Sequence, residues 1–283
     1  MHAAPLTLTS LLFTPGNRAD RFAKAAAAGA DGLIIDLEDA VSVADKDRVR
    51  TEVVAWLKQH GSAAPAPFVT AVRINPVNSE AGKLDLEALQ AAGVRPDVVF
   101  LPKVESVVEV QLAGNRLPNE TRLVCMIETV RGVRAAPEIA TASSYVAALA
   151  FGGLDLSAET GGEPGWDALL YPRTKVVHAA AAAGIVALDQ PFVDYRDEAG
   201  LTDECRRTRA LGFVGKLAIH PAQCAVIRAA YQPTPAQVER ARRIVAAYGA
   251  AQGNVASVDG QMIDVPLYKS ALRILQRTGE PVA

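Results

Sequence analysis

The 283-residue chain is poor in the side chains that build soft-metal and redox sites, with 3 cysteines and 4 histidines. Cys125, Cys205 and Cys224 are odd in number, far apart and without a C-x-x-C pair. That argues against a disulfide framework or a thiolate zinc site and fits a reducing compartment. An excess of one charge is also lacking. Lys and Arg number 29 against 31 Asp and Glu, a formal net charge of −2, which leaves no electrostatic footprint for gripping a nucleic-acid backbone. No apolar run approaches the ~20 residues of a membrane helix; the longest candidate, Ala179–Leu188, is alanine-rich and stops at Asp189. The first ten residues have no basic stretch ahead of a long apolar core, so we expect no signal peptide and a cytoplasmic location. No G-x-G-x-x-G, Walker loop or G-x-S-x-G elbow occurs. Residues 212–216 look like half a P-loop but precede a strand-like run instead of following one.

What the chain has in quantity is alternation. Half of it is hydrophobic, enough for one large α/β barrel or two ordinary domains. Short aliphatic runs at Leu11–Thr14, Gly32–Asp36, Val69–Ile74, Val98–Pro102, Arg122–Ile127, Tyr145–Phe151, Ile185–Asp189 and Lys216–Ile219 read as strands. Helix-like segments lie between them: Arg18–Ala28, Asp45–Lys58, Leu84–Ala92, Ser106–Ala113, Ala135–Ala142, Tyr171–Ala183 and Glu198–Leu211. The average spacing is about 30 residues, the size of one βα unit. Continuous apolar strands alternating with helices imply a parallel sheet covered by helices, and eight units favour a closed (β/α)8 TIM barrel over an open doubly wound sheet. We therefore expect a barrel over 1–225. Residues 226–283 read as a C-terminal helical extension, about 50 residues being a poor independent core. Thr234 and Gln237 form a capping-box pattern opening a helix to about Tyr248; Gly253–Gly260 is a connection, and Leu267–Arg277 reads as the last helix.

In such a barrel the chemistry sits at the C-terminal ends of the strands. Those ends carry Thr14–Arg18, Asp36–Asp39, Arg73–Asn75, Lys103–Glu105, Glu128–Thr129, Gly152–Asp155, Asp189–Pro191 and His220–Pro221. This rim is rich in carboxylates and nearly free of imidazole, since only His220 among the histidines falls at a strand end. A His-based zinc site cannot be assembled there, whereas hard oxygen ligands favour Mg²⁺. Glu128 and Asp155, at the ends of neighbouring strands, are the best-placed pair; helix capping and loop salt bridges are the alternative use for two such acids. Gly152 and Gly153 would let a metal-bound substrate approach the backbone, and Gly153 and Leu154 are candidate substrate contacts. Arg73 ends an apolar strand, where its fork suits a substrate carboxylate or oxyanion, or else an internal ion pair with Asp36, Glu38 and Asp39. Lys103 could pair with Glu38 or Glu105, or serve as a Schiff-base lysine of a class I aldolase.

These strand ends carry a resemblance. Phe13–Arg18, Ile35–Val41, Val72–Asn75, Leu101–Glu105, Ile127–Thr129, Phe151–Leu156, Ala218–Pro221 and Gly260–Pro266 follow one another as in the citrate lyase β-subunit/malyl-CoA lyase/citramalyl-CoA lyase family, which the chain resembles from residue 11 to about 272. The resemblance implies a TIM barrel, trimeric or hexameric, that uses Mg²⁺ to break or make a C–C bond beside a CoA thioester. It implies Glu128 and Asp155 as metal ligands, Arg73 as the group on the keto-acid product, and Glu38 and Asp39 as acids near the metal's waters. Asp264 corresponds to an acid that reaches a neighbouring subunit's site, so that the extension completes that site. Arg18, Arg21 and Lys24 lie where the family approaches CoA phosphates.

From this we expect cleavage of citramalyl-CoA or malyl-CoA to acetyl-CoA and a 2-oxo acid, with Asp264 protonating the enolate carbon. A citrate lyase β subunit acting on a citryl-acyl-carrier protein is an alternative. The retained Met262–Pro266 segment favours a free-standing CoA lyase over it, those subunits tending to be compact at the C-terminus. A malyl-CoA thioesterase and a catalytically silent CoA-binding or regulatory barrel are the other readings. The silent barrel has no use for the full set Arg73, Glu128, Asp155 and Asp264.

Overall fold

The computed structural model describes residues 8–60, 68–118, 121–252 and 254–278. Eight parallel strands close into one barrel in sequence order: β1 (Ser10–Pro15), β2 (Gly32–Asp36), β3 (Val69–Arg73), β4 (Val98–Leu101), β5 (Arg122–Ile127), β6 (Val146–Phe151), β7 (Val186–Asp189) and β8 (Gly215–Ala218). β8 pairs back onto β1 through Ser10 with Lys216 and Leu12 with Ala218, so the barrel has no free edge. The helices are α1 (Phe22–Ala27), α2 (Lys46–His60), α3 (Glu80–Ala92), α4 (Val107–Arg116), α5 (Val130–Ala140), α6 (Gly153–Thr160), α7 (Trp166–Ala182), α8 (Glu198–Leu211) and α9 (Pro221–Tyr231). The expected TIM barrel is present, and each expected strand matches its observed bounds to within one residue at either end.

The alternation of side chains along each strand decides what reaches the rim. Leu11, Ile34, Ala71, Phe100, Val124, Met126, Ala150, Leu188 and Leu217 fill the barrel interior. Stepping two residues onward keeps the same face. On β1, β2, β3, β5, β6 and β7 that step arrives at Phe13, Asp36, Arg73, Glu128, Gly152 and Gln190. Residues of the other parity, such as Ile35, Val72, Val99, Cys125 and Phe151, are buried on the helix-facing side.

The helix starts are set by capping. Ser79 accepts from the N–H of Gly82 and so begins α3 at Glu80; Thr129 does the same from Gly132 and begins α5 at Val130. Both helices start several residues earlier than their apolar pattern suggests. Two helices were not anticipated. α6 opens on two glycines, and α9 opens on Pro221, a residue suited to the first helical turn that reads easily as a boundary.

The chain divides into two compact units, the second beginning at Ala229. The second holds α10 (Pro235–Ala250), a hairpin of β9 (Ala256–Val258) and β10 (Gln261–Ile263), and α11 (Val265–Arg277). Thr234 and Gln237 form the expected capping box, whereas the hairpin replaces an expected plain connection. This unit has an apolar cluster of its own, including Val238, Ile244, Ile263, Ala271 and Leu275.

Candidate active site

The C-terminal rim of the barrel opens into a cleft of about 420 Å³, lined among others by Phe13, Asp36, Arg73, Glu128, Leu154 and Asp155. Its first component is Arg73, which is all but buried. Its Nε and Nη2 donate to the two oxygens of Asp36 at 2.7 and 2.6 Å, a fork-to-fork pair with fixed geometry. Nη1 lies 2.8 Å from Glu38 Oε2, and the guanidinium sits 4.7 Å over the ring of Phe13. These carboxylates hold the guanidinium charged against the cost of burial, raising its pKa. The internal ion pair weighed from the sequence is thus present, in an arginine that lines the cleft.

The loop after β2 is held by its backbone. Lys46 Nζ donates to the carbonyls of Leu37 and Glu38, at 3.0 Å each. Asn75 Nδ2 donates to the Leu37 carbonyl at 3.1 Å and to Asp85 at 2.7 Å, and Asp85 in turn accepts from Arg50 Nε at 2.6 Å. Glu38 is thereby fixed between Arg73 and Lys103, whose Nζ lies 2.5 Å from Glu38 Oε1. Burial lifts the Glu38 carboxyl above its ordinary range, against the pull of Arg73 and Lys103. Lys103 takes Glu38, with Asp39 at 3.5 Å, as its partners.

Lys103 has a left-handed backbone, φ 50°, a conformation that costs a non-glycine residue about 1 kcal/mol or more. The strain aims its N–H at Glu128 Oε1, 2.7 Å away. Glu128 is buried at the end of β5, and its carboxyl is pushed up to about 8 by burial and then by the charges of Glu38 and Asp155. Asp155, in the first turn of α6, is half-exposed across the cleft and lies 4.0 Å from Lys103 Nζ.

The two glycines are required by their packing. A Cβ on Gly152 would come within 2.4 Å of Glu128 Oε2, and one on Gly153 within 2.6 Å of both Gln190 Oε1 and Leu169 Cδ1. Their Cβ positions are taken by these side chains, Gly152 still lines the cleft, and Gly153 gives its N–H to Gln190 Oε1 at 2.5 Å. Leu154 lines the cleft.

Glu128 Oε2 has no hydrogen-bond partner and is not sealed from the cleft, so a buried carboxylate oxygen is free beside a second carboxylate. No cage of three or more His, Cys, Asp or Glu side chains occurs among the described residues. Two carboxylates with open positions are what Mg²⁺ accepts, waters and substrate oxygens supplying the rest. The residues fit Mg²⁺.

A second cleft of about 400 Å³, lined by Arg21, Lys24 and His220, shares Phe13, Pro15 and Ile219 with the first. Arg18 does not line it; its guanidinium forks onto the exposed Asp20 at 2.9 Å. Asp264 caps α11, accepting from Leu267 N at 3.2 Å, and is exposed within the second unit.

Of the three acids offered from the sequence as partners of Arg73, Asp36 is the main one. One group lay outside the sequence reading. Away from the rim, Arg173, Asp189, Glu204 and Lys216 form a buried ion cluster between β7, β8 and helices α7 and α8: Arg173 Nε donates to Asp189 at 3.0 Å, Lys216 Nζ to Glu204 at 2.6 Å and also to Asp189.

Residues 9–221 match the family model for the HpcH/HpaI aldolase/citrate lyase family. The chain belongs to this family. It is 35% identical to the citrate lyase subunit beta of Haemophilus influenzae, the match covering 95% of this chain and 96% of that one. It is 33% identical to the human mitochondrial citramalyl-CoA lyase, over 93% of this chain and 83% of the relative. Among solved structures, CitE from Mycobacterium tuberculosis in complex with magnesium, acetoacetate and coenzyme A superposes with a TM-score of 0.81 at 35% identity, covering 98% of this chain and 99% of that one. The near-complete match to a citrate lyase subunit corrects one expectation. Such a subunit is collinear with this chain through the C-terminal part, so the Met262–Pro266 segment does not separate the two kinds of lyase. No helix among the described residues is long and apolar enough to cross a membrane.

Proposed function

We propose that the protein is a Mg²⁺-dependent lyase that cleaves a β-hydroxyacyl-CoA thioester, of the citramalyl-CoA or malyl-CoA type, into acetyl-CoA and a 2-oxo acid. The observation that carries this reading is the pair of clefts with a common wall, one rimmed by carboxylates and the other by Arg21, Lys24 and His220. A molecule with a chelating hydroxy-acid at one end and phosphates at the other answers both. Bound between Glu128 and Asp155, Mg²⁺ would supply Lewis acidity toward the hydroxy-acid oxygens.

The chain's own groups do the rest. Arg73, locked by Asp36, donates to the oxygen that becomes the keto group. Asp39, which lines the cleft, receives the hydroxyl proton, and Glu38 beside it holds Arg73 and Lys103 in position. The C–C electron pair passes into the thioester as an enolate, and the carbon then takes a proton from Asp264, supplied by the second unit of a neighbouring copy in a trimer or hexamer. Arg21 and Lys24 bind CoA phosphates, with Arg18 as a further contact. Neither oligomerisation nor catalysis calls for a nucleic-acid or membrane partner.

A citrate lyase β role is favoured by the collinearity with the Haemophilus subunit; a thioesterase would use the same carboxylates with water attack. Purified protein with Mg²⁺ and racemic citramalyl-, malyl- and citryl-CoA, followed by mass spectrometry, separates these readings. We expect acetyl-CoA and pyruvate or glyoxylate. Free CoA with intact hydroxy-acid would make it a thioesterase, and turnover of a carrier-protein thioester alone would make it a citrate lyase subunit. No turnover of any thioester would support the silent barrel. Asp264→Asn, a residue equally able to cap α11, should lose at least ~100-fold in rate with Mg²⁺ affinity intact; an unchanged rate refutes the acid role.

A further inference from the structure

We infer that Gln190 is the donor that holds the thioester oxygen during cleavage, an inference that rests on the lyase reading above. Gln190 follows β7 and is nearly buried. Its parity with Leu188, a residue of the barrel interior, points it into the rim, where it lines the carboxylate cleft. Its Oε1 accepts from the Gly153 N–H at 2.5 Å. A backbone N–H can only donate, so this contact fixes which end of the carboxamide is which. Nε2 is the free end: it has no hydrogen-bond partner in the protein, yet it is not sealed away as a buried orphan. The two rim cations are already held, Arg73 by Asp36 and Glu38 and Lys103 by Glu38. Gln190 therefore offers the cleft a neutral N–H donor with no competing carboxylate.

Its place around the barrel says which oxygen it meets. The metal-fitting carboxylates belong to β5 and to α6, which follows β6, while the cleft with Arg21, Lys24 and His220 belongs to β1, β8 and their flanks. β7 lies between these sectors in the closed strand order. A thioester joining an acid head on one side to a phosphate tail on the other passes β7, where Gln190 stands. When the C–C bond breaks, the hydroxyl proton leaves to a carboxylate and the hydroxyl carbon becomes the carbonyl of the 2-oxo acid. The bonding pair moves into the thioester, leaving negative charge on its oxygen until the carbon is protonated. A preorganised N–H donor at that oxygen is worth most as the charge develops. The same side chain anchors the first residue of α6, which carries Asp155, so anchoring alone must be distinguished from donation.

Gln190→Glu does so, because it keeps an oxygen for the Gly153 N–H while removing the N–H donor; Gln190→Met removes both. The readouts are kcat and KM for cleavage, Mg²⁺ affinity by calorimetry, and exchange of acetyl-CoA methyl protons in D₂O with Mg²⁺ and oxamate, a 2-oxo acid mimic that cannot condense. In both variants kcat and exchange should fall on the order of 100-fold, with KM within about threefold, and Gln190→Glu should bind Mg²⁺ no more weakly than wild type. Should Gln190→Met fail to fold, Gln190→Glu decides alone. Exchange at the wild-type rate overturns the donor role, and so does a loss of exchange that runs parallel to a loss of Mg²⁺ affinity in Gln190→Glu. Wild-type protein that neither exchanges nor cleaves overturns the lyase reading itself, and the Gln190 role falls with it.

Discussion

Two charged clusters on this barrel are built from the same residue types and do opposite things. The inner one joins Arg173 and Lys216 to Asp189 and Glu204, two cations to two carboxylates, and leaves Lys216 and Asp189 fully buried. The rim cluster sets Arg73 and Lys103 among Asp36, Glu38, Asp39, Glu128 and Asp155. There the carboxylates outnumber the cations, and Glu128 keeps one oxygen unpaired toward a cleft. The inner cluster matches each cation with carboxylates and lies outside the rim cleft. The rim is short of positive charge, and burial, with the charges of Glu38 and Asp155, pushes the Glu128 carboxyl up to about 8. The lesson is one of balance: what marks a site is a set of ions left open on one side by the protein and completed by something else.

The largest expected effect comes from breaking the open cluster. Glu128→Gln should abolish Mg²⁺ binding in calorimetry and reduce turnover by at least ~1000-fold, while the melting transition stays cooperative. Next comes the closed cluster. Lys216→Met leaves Asp189 and Glu204 to share Arg173 alone and should cost about 3–5 kcal/mol of stability in urea unfolding; adding Asp189→Leu should recover part of that. Neither change should move Mg²⁺ affinity by more than about twofold, since Glu128 and Asp155 stand at the ends of β5 and β6 and, among the described residues, make no ion pair with this cluster.

The remaining effect is graded and appears only as pH is varied. The ordinary Glu128 value is 4.5 and its folded value is about 8, so between those limits the metal-free fold keeps a proton that the unfolded chain has lost. Stability of the metal-free protein should therefore fall as pH rises from about 4.5 to about 8 and level off above. Mg²⁺ must displace that proton, so its affinity should rise up to tenfold per pH unit through the same window and then flatten. Glu128→Gln should remove the Glu128 contribution to the stability slope.

The same contrast explains what the sequence could and could not reveal. The barrel was legible because each strand is a continuous apolar run and the alternation is strict, so Arg73 and Glu128 appear where Ala71 and Met126 place them. The rim acids were legible because they fall at strand ends. The closed cluster was not. Lys216 sits inside an aliphatic run beside Leu217, and nothing local reveals that Arg173 and Glu204, from two different helices, come to meet it. Nor did two glycines in a row disclose that Glu128 and Gln190 occupy their empty side-chain positions. Gln190 itself, one amide after Asp189, becomes informative only when the Gly153 N–H fixes its orientation. Long-range partnership, not local pattern, carries that information.

The most direct test of the open-versus-closed distinction is an anomalous difference map from crystals soaked in Mn²⁺, a stand-in for Mg²⁺ with a usable signal. The account predicts one strong peak in contact with Glu128 and Asp155 and none at Asp189 and Glu204. An empty rim in the soaked crystal, or a peak in the buried cluster, would contradict it.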